Sequence, residues 1–159
     1  MALSAPSARY CIHQSHETAS SPLIANLIAS AKAPSTSVFL KQKAKIDTAR
    51  AKLMRLASLQ AGWDTYNAEP PNETSRAYAE RLLAVLELSS LIPARVLPSA
   101  EGGIALTFVA SRKRAEIEVY NSGEMVAATY SDQDQLDVWE FAWTEAPATV
   151  AKIRVYLSA

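Results

Sequence analysis

Asp64, Glu69, Glu101, Glu116 and Glu118 are the carboxylates that turns and strands of this chain could bring together. A pair of such groups supports hydrolysis when their surroundings separate their affinities for a proton, and Asp64 with Glu101 would be the centre of a carboxylate-based hydrolase. Other catalytic sets are thinner. Both histidines, His13 and His16, lie near the start of the chain. The remainder therefore offers no Ser-His or Cys-His nucleophile and no histidine base. Glu116 and Glu118 alternate along one segment, which puts both on the same face of a strand, where a solvated sheet face accounts for them. Glu101-Gly102-Gly103 lacks the lysine of a phosphate-binding loop and the spacing of a dinucleotide motif, and reads as a turn. Cys11, His13 and His16 are metal-ligating types in a short run, but no fourth ligand is fixed by the sequence. No catalytic set, metal or cofactor is assigned on these grounds.

Binding chemistry is more visible than catalysis. The net charge of +0 conceals a segregated distribution: residues 41–61 carry Lys41, Lys43, Lys45, Arg50, Lys52 and Arg55 against a single acid, Asp47. The segments on either side of this block lack such an excess. Lys41, Lys45, Arg50, Lys52 and Arg55 could meet nucleic-acid phosphates or an acidic protein surface. An isoelectric point near 6.7 speaks against a dedicated nucleic-acid binder. Trp63, Asp64 and Tyr66 form a second candidate surface in an aromatic-rich turn, where Gly62 supplies backbone freedom and Asp64 can accept from nearby amides. The same turn has an architectural reading, in which its aromatic rings clamp the flanking helices to a sheet.

The elements that must position these groups follow from residue periodicity. Residues 1–36 are dominated by Ser, Ala, Pro, Thr and His and are expected to form a flexible tail; within it Ser20–Ile28 could make a marginal helix. From 37 onward a single domain is expected. Ile46, Ala49, Leu53, Leu56 and Leu59 recur at helical spacing until Gly62, and Asn72 caps a second helix whose apolar positions are Tyr78, Leu82, Val85 and Leu86. After Pro93 the period becomes two, at 104–109, 116–120, 125–130 and about 136–143, with turns at Ser111–Arg114, Asn121–Gly123 and Asp132–Asp134. Pro147, Val150, Ile153 and Leu157 favour a closing helix over 147–159, although Ile153, Val155 and Leu157 also alternate as a strand would. The fold class is α+β: two N-terminal helices packed on a four-stranded antiparallel meander, with a C-terminal helix.

One cysteine excludes an intramolecular disulfide, and neither a membrane-spanning run nor a secretory leader is legible; a cytoplasmic setting is the expectation.

The segments Gly62–Pro71, Pro93–Leu106 and Ala115–Val119 with Gly123-Glu124 resemble a family of small uncharacterised bacterial proteins. Those proteins carry a GWDGYGA-x-PP turn, a P-x-V-x-P-x-x-x-GGI-x-LEW segment and an LEIEV strand. The likeness covers roughly Leu59 to Met125, and this chain departs from it at Thr65, Asn67, Thr107 and Phe108. It implies a shared fold and carries no catalytic activity; the kind of family implies a bacterial defence or toxin–antitoxin setting. The functional expectation is a non-catalytic interaction or regulatory subunit acting through a protein partner. Its alternatives are a nucleic-acid-contacting module using the basic helix over 41–55 and the carboxylate hydrolase.

Overall fold

A computed structural model describes residues 36–131 and 136–159, all within the unit Ser35–Ala159. The expectations for the tail, for Ser20–Ile28, for Cys11, His13 and His16, and for the acidic loop from Asp132 to Asp134 lie outside the described residues.

Helix α1 runs Thr36–Arg55 and closes in a short 3-10 turn, Leu56–Ser58. Its cations Lys52 and Arg55 sit in the last turn, at the negative end of the helix dipole. Helix α2, Glu73–Leu88, begins where Asn72 accepts a hydrogen bond from the Ser75 amide at 3.0 Å, with Glu73 in the favourable first turn. Five strands follow, β1 (Arg95–Ser99), β2 (Gly103–Ala110), β3 (Lys113–Tyr120), β4 (Met125–Tyr130) and β5 (Leu136–Glu140), before helix α3, Ala146–Ser158. The strands pair antiparallel in chain order, so the sheet is a simple meander.

Alternation along the strands decides the layering. Ile104, Leu106 and Phe108 of β2, Ala115, Ile117 and Val119 of β3, and Met125 and Ala127 of β4 point to one face and are buried. They pack with Leu82, Leu83 and Leu86 of α2 and with Val150 and Ile153 of α3 in one core. Removing a side chain such as Ile117 from this layer costs about 2–5 kcal/mol by the usual cavity rule. At the hinge between β1 and β2, Gly103 adopts φ 141°, and a Cβ there would stand 2.2 Å from the Val119 carbonyl oxygen. Only glycine fits that approach.

Three expectations need correction. The sheet has five strands, because Arg95–Ser99 pairs with β2 from Arg95↔Thr107 to Ser99↔Gly103. Pro98 argues against a strand in a sequence, yet β1 is an edge, where a missing donor is tolerated. Helix α1 does not pack on the meander as a whole; it rests on α2 and on edge strand β1 through Ile46, Ala49 and Leu53, since α2 and α3 already cover β2 to β4. The last strand ends at Glu140, and Trp143 starts a 3-10 turn instead of extending β5: the Glu145 carboxylate accepts the Ala142 amide at 2.8 Å and bends the chain out of the sheet. The helix over the C-terminal segment is present, with Pro147 in its first turn.

Candidate functional site: a cationic stripe beside the edge strand

Lys41, Lys45, Thr48, Lys52 and Arg55 follow one another along α1 at steps of four, three, four and three residues. That spacing keeps all five on one side of a helix and spreads them over about 21 Å. The four cations are exposed, and none makes a hydrogen bond or ion pair among the described residues. Arg50 is placed differently. It lies on the opposite side of α1, where Nε donates to Glu80 at 2.9 Å and Nη2 to Glu87 at 2.9 Å, and Asp47 stands 3.7 Å away. Hydrogen bonding to Glu87 leads the causes that raise the Arg50 pKa above its usual value, over an opposing desolvation. Of the five basic residues singled out in the sequence, Arg50 therefore fastens α1 to α2, and the other four form a common surface. Lys43, half-exposed, is paired with Asp47 at 3.2 Å.

The stripe borders a cleft of about 400 Å³ between α1 and the β1 edge. Lys45, Thr48, Ala49 and Lys52 form one wall; Ile92, Pro93, Ala94, Val96 and Val109 form the other. Cations on a rim above an apolar wall can hold a chain that presents carboxylates along one side and an aliphatic anchor on the other. The sequence disclosed the cations, while the second wall came from the Ile92–Ala94 segment and Val109, which no local pattern associates with residue 45.

The aromatic turn divides its labour. The Asp64 carboxylate accepts from the amides of Tyr66 at 2.9 Å and Ala68 at 3.0 Å, which makes it a structural acceptor. Gly62 donates to the Ala68 carbonyl at 3.2 Å and closes the loop. Tyr66 is 88% exposed and clamps nothing. Trp63 is half-buried, and its indole nitrogen is enclosed with no hydrogen-bond partner among the described residues. Thr65 and Asn67 both adopt positive φ, 68° and 64°. These are two of the positions at which the chain departs from the GWDGYGA pattern, whose glycines would fit that backbone without strain.

Glu101 sits exposed in the β1–β2 turn, and no hydrogen bond or ion pair joins it to Asp64 among the described residues. Glu116 and Glu118 lie on the sheet face opposite the helices. Glu118 accepts from Ser99 Oγ at 2.6 Å and from the Tyr120 hydroxyl at 2.9 Å. Desolvation first, then the bond to Glu118 and the charges of Glu118, Glu101 and Glu124, push the Tyr120 phenol up to about 12. Glu116 is raised too, chiefly by burial and then by Glu118, against the pull of Arg114. Sequence reasoning treated both carboxylates as a solvated face; it missed that Glu116 is only partly exposed.

No group of three or more His, Cys, Asp or Glu among the described residues is arranged to hold a metal ion. No described helix is long and apolar enough to cross a membrane. No protein-family model, curated protein or solved structure matches the chain.

Proposed function

We propose that the protein is a non-catalytic binding module, an accessory or regulatory subunit that engages an acidic segment of a protein partner along α1. The observation that carries this reading is the stripe of Lys41, Lys45, Lys52 and Arg55, four cations with no hydrogen-bond or ion-pair partner among the described residues, on the side of α1 that opens onto a cleft with an apolar wall. Unpaired cations that line up over several turns raise the local concentration of anionic partners and set the register of docking. The apolar wall of Ile92, Pro93, Val96 and Val109 favours a peptide with aliphatic anchors over a phosphate backbone, which has nothing to bury there.

The test is a photo-crosslinking side chain at Thr48 in the full protein, expressed in its native host with the neighbouring genes active. Crosslinked protein that disappears with Lys45→Glu and Lys52→Glu is the expected result. Crosslinked nucleic acid, with binding that falls steeply as salt rises, would transfer the stripe to the nucleic-acid reading. A crosslink unaffected by both charge reversals would remove the stripe from the function altogether.

A further inference from the structure

The sheet has a second face, and no described element packs on it: α1, α2 and α3 all contact the strands from the core side. Cross-strand register sets out its surface. One row runs Arg95, Thr107, Glu116, Ala128 and Val138, and the next runs Leu97, Ala105, Glu118, Val126 and Glu140. Ala105, Thr107 and Ala128 give the middle of the sheet a low floor. At the two edges of that floor Leu97 is 45% exposed and Val138 51%. Single exposed apolar residues are ordinary on a protein surface, so the choice of occupant rests on the charges.

The charges say what fits. Glu116 and Glu118 stand on the central strand β3, two residues apart on one face, and Glu116 makes no hydrogen bond or salt bridge among the described residues. Glu140 shares the row of Glu118 at the β5 edge. Arg114 is turned onto the Tyr130 ring, 4.0 Å from its centroid, at one end of the face. A second copy is a poor occupant. A two-fold axis through the middle of the face would set the Glu116 and Glu118 carboxylates of one molecule against those of the other, and opposed like charges in a contact are costly.

We infer that this open face docks a cationic amphipathic helix of a protein partner, with aliphatic side chains over Ala105, Ala128 and Val138 and a lysine or arginine set between Glu116 and Glu118. The middle of this surface, away from the α1 stripe, carries the carboxylates, while Arg95 and Arg114 stand at its rim, so the molecule joins an acidic segment on one side to a basic one on the other. A five-stranded face is about 24 Å wide and about 20 Å deep, and covering it buries on the order of 1,000 Å² in total, the lower range of specific contacts. Binding is therefore expected to be reversible and in the micromolar range.

Two synthetic helical peptides of one apolar pattern provide the test, the first with lysines on its polar face and the second with glutamates. Each is titrated into the isotope-labelled full protein, and amide shifts are followed by NMR. The lysine peptide should move amides of β2, β3 and β4, and its affinity should fall at least about tenfold in Glu116→Gln/Glu118→Gln, the loss expected when a desolvated charge pair is removed. Val138→Lys, at an exposed site, should weaken it as well without touching either carboxylate. Failure to bind, shifts confined to α1, or unchanged affinity in all variants would overturn the inference, as would a concentration-dependent dimer whose contact maps to this face. Lys45→Glu/Lys52→Glu should leave the lysine peptide's affinity within twofold, so a failure of the α1 reading and a failure of this one are told apart.

Discussion

At the scale of single residues, side chains that looked chemical have been given to structure, and each assignment has a measurable consequence. Asp64 supplies both of its observed bonds to backbone amides, at 2.9 and 3.0 Å. Asp64→Ala should cost about 1–2 kcal/mol in urea denaturation, as for the loss of a capping acceptor. Thr65 next to it holds φ 68°, a conformation in which a β-branched residue is strained. Thr65→Gly should therefore raise stability by about 1 kcal/mol, whereas the same change at an extended threonine lowers it. Glu116 behaves as a carboxyl that holds its proton more tightly folded than unfolded, because of burial and the neighbouring Glu118. The native state then binds more protons over the interval between the unfolded and folded values. Stability contributed at this site falls as pH rises through that interval and returns on acidification. Glu116→Gln should thus exceed the wild type in stability at neutral pH, with the difference vanishing below about pH 4, as thermal melts of the two proteins at matched pH would record. The turn motif itself was legible as a glycine-stopped helix followed by an aspartate acceptor. The conformation of Thr65 was not, since a β-branched residue rarely adopts a positive φ, whereas asparagine, as at Asn67, is among the types that do.

At the scale of elements, helix period and strand alternation located α1, α2, β2, β3 and β4 because burial imposes those repeats directly on the sequence. They failed where a strand is short and lies at an edge. Strand β1 has five residues and a proline, and only its pairing with β2 identifies it. What no periodicity could reveal is the fastening between α2 and the β3–β4 turn. Asn121 Oδ1 accepts from the Asn72 amide and from Ser75 Oγ, each at 2.9 Å, and Asn121 Nδ2 donates to the Pro70 carbonyl at 3.1 Å. The Asn121 carbonyl in turn accepts from Asn72 Nδ2 at 2.9 Å. One side chain thus joins the residues that aim α2 to a hairpin some fifty positions later. Asn121→Ala abolishes three of these bonds and leaves the buried Ser75 hydroxyl with fewer partners, so a loss of about 2–4 kcal/mol is expected. Its signature is local: hydrogen exchange should quicken first in the opening turn of α2 and the β3–β4 turn, ahead of the β2–β3 centre.

At the scale of the whole molecule, zero net charge results from cations concentrated on α1 balanced by acids spread over the later elements. Two kinds of cation stand on that one helix. Arg50 is 27% exposed and satisfied by Glu80 and Glu87, so its charge contributes to holding α1 on α2. Lys52 is exposed and has no side-chain partner among the described residues, so its charge contributes to the fold only through the dipole of α1, a small effect at an exposed site. Arg50→Ala should therefore lower stability by about 1 kcal/mol, a figure kept small because both carboxylates are substantially solvated. Lys52→Ala should change it by less than about 0.5 kcal/mol. Salt narrows the difference: raising ionic strength should erode the Arg50 contribution, and with it the gap between the two variants, as screening weakens the partly exposed pairs. Equal losses in both variants would mean that the stripe, too, belongs to the internal electrostatics of the domain, and its claim to a partner would lapse. Unequal losses would leave four cations on a stable helix whose charge the fold uses little, a condition that makes sense when the matching acids are on another molecule.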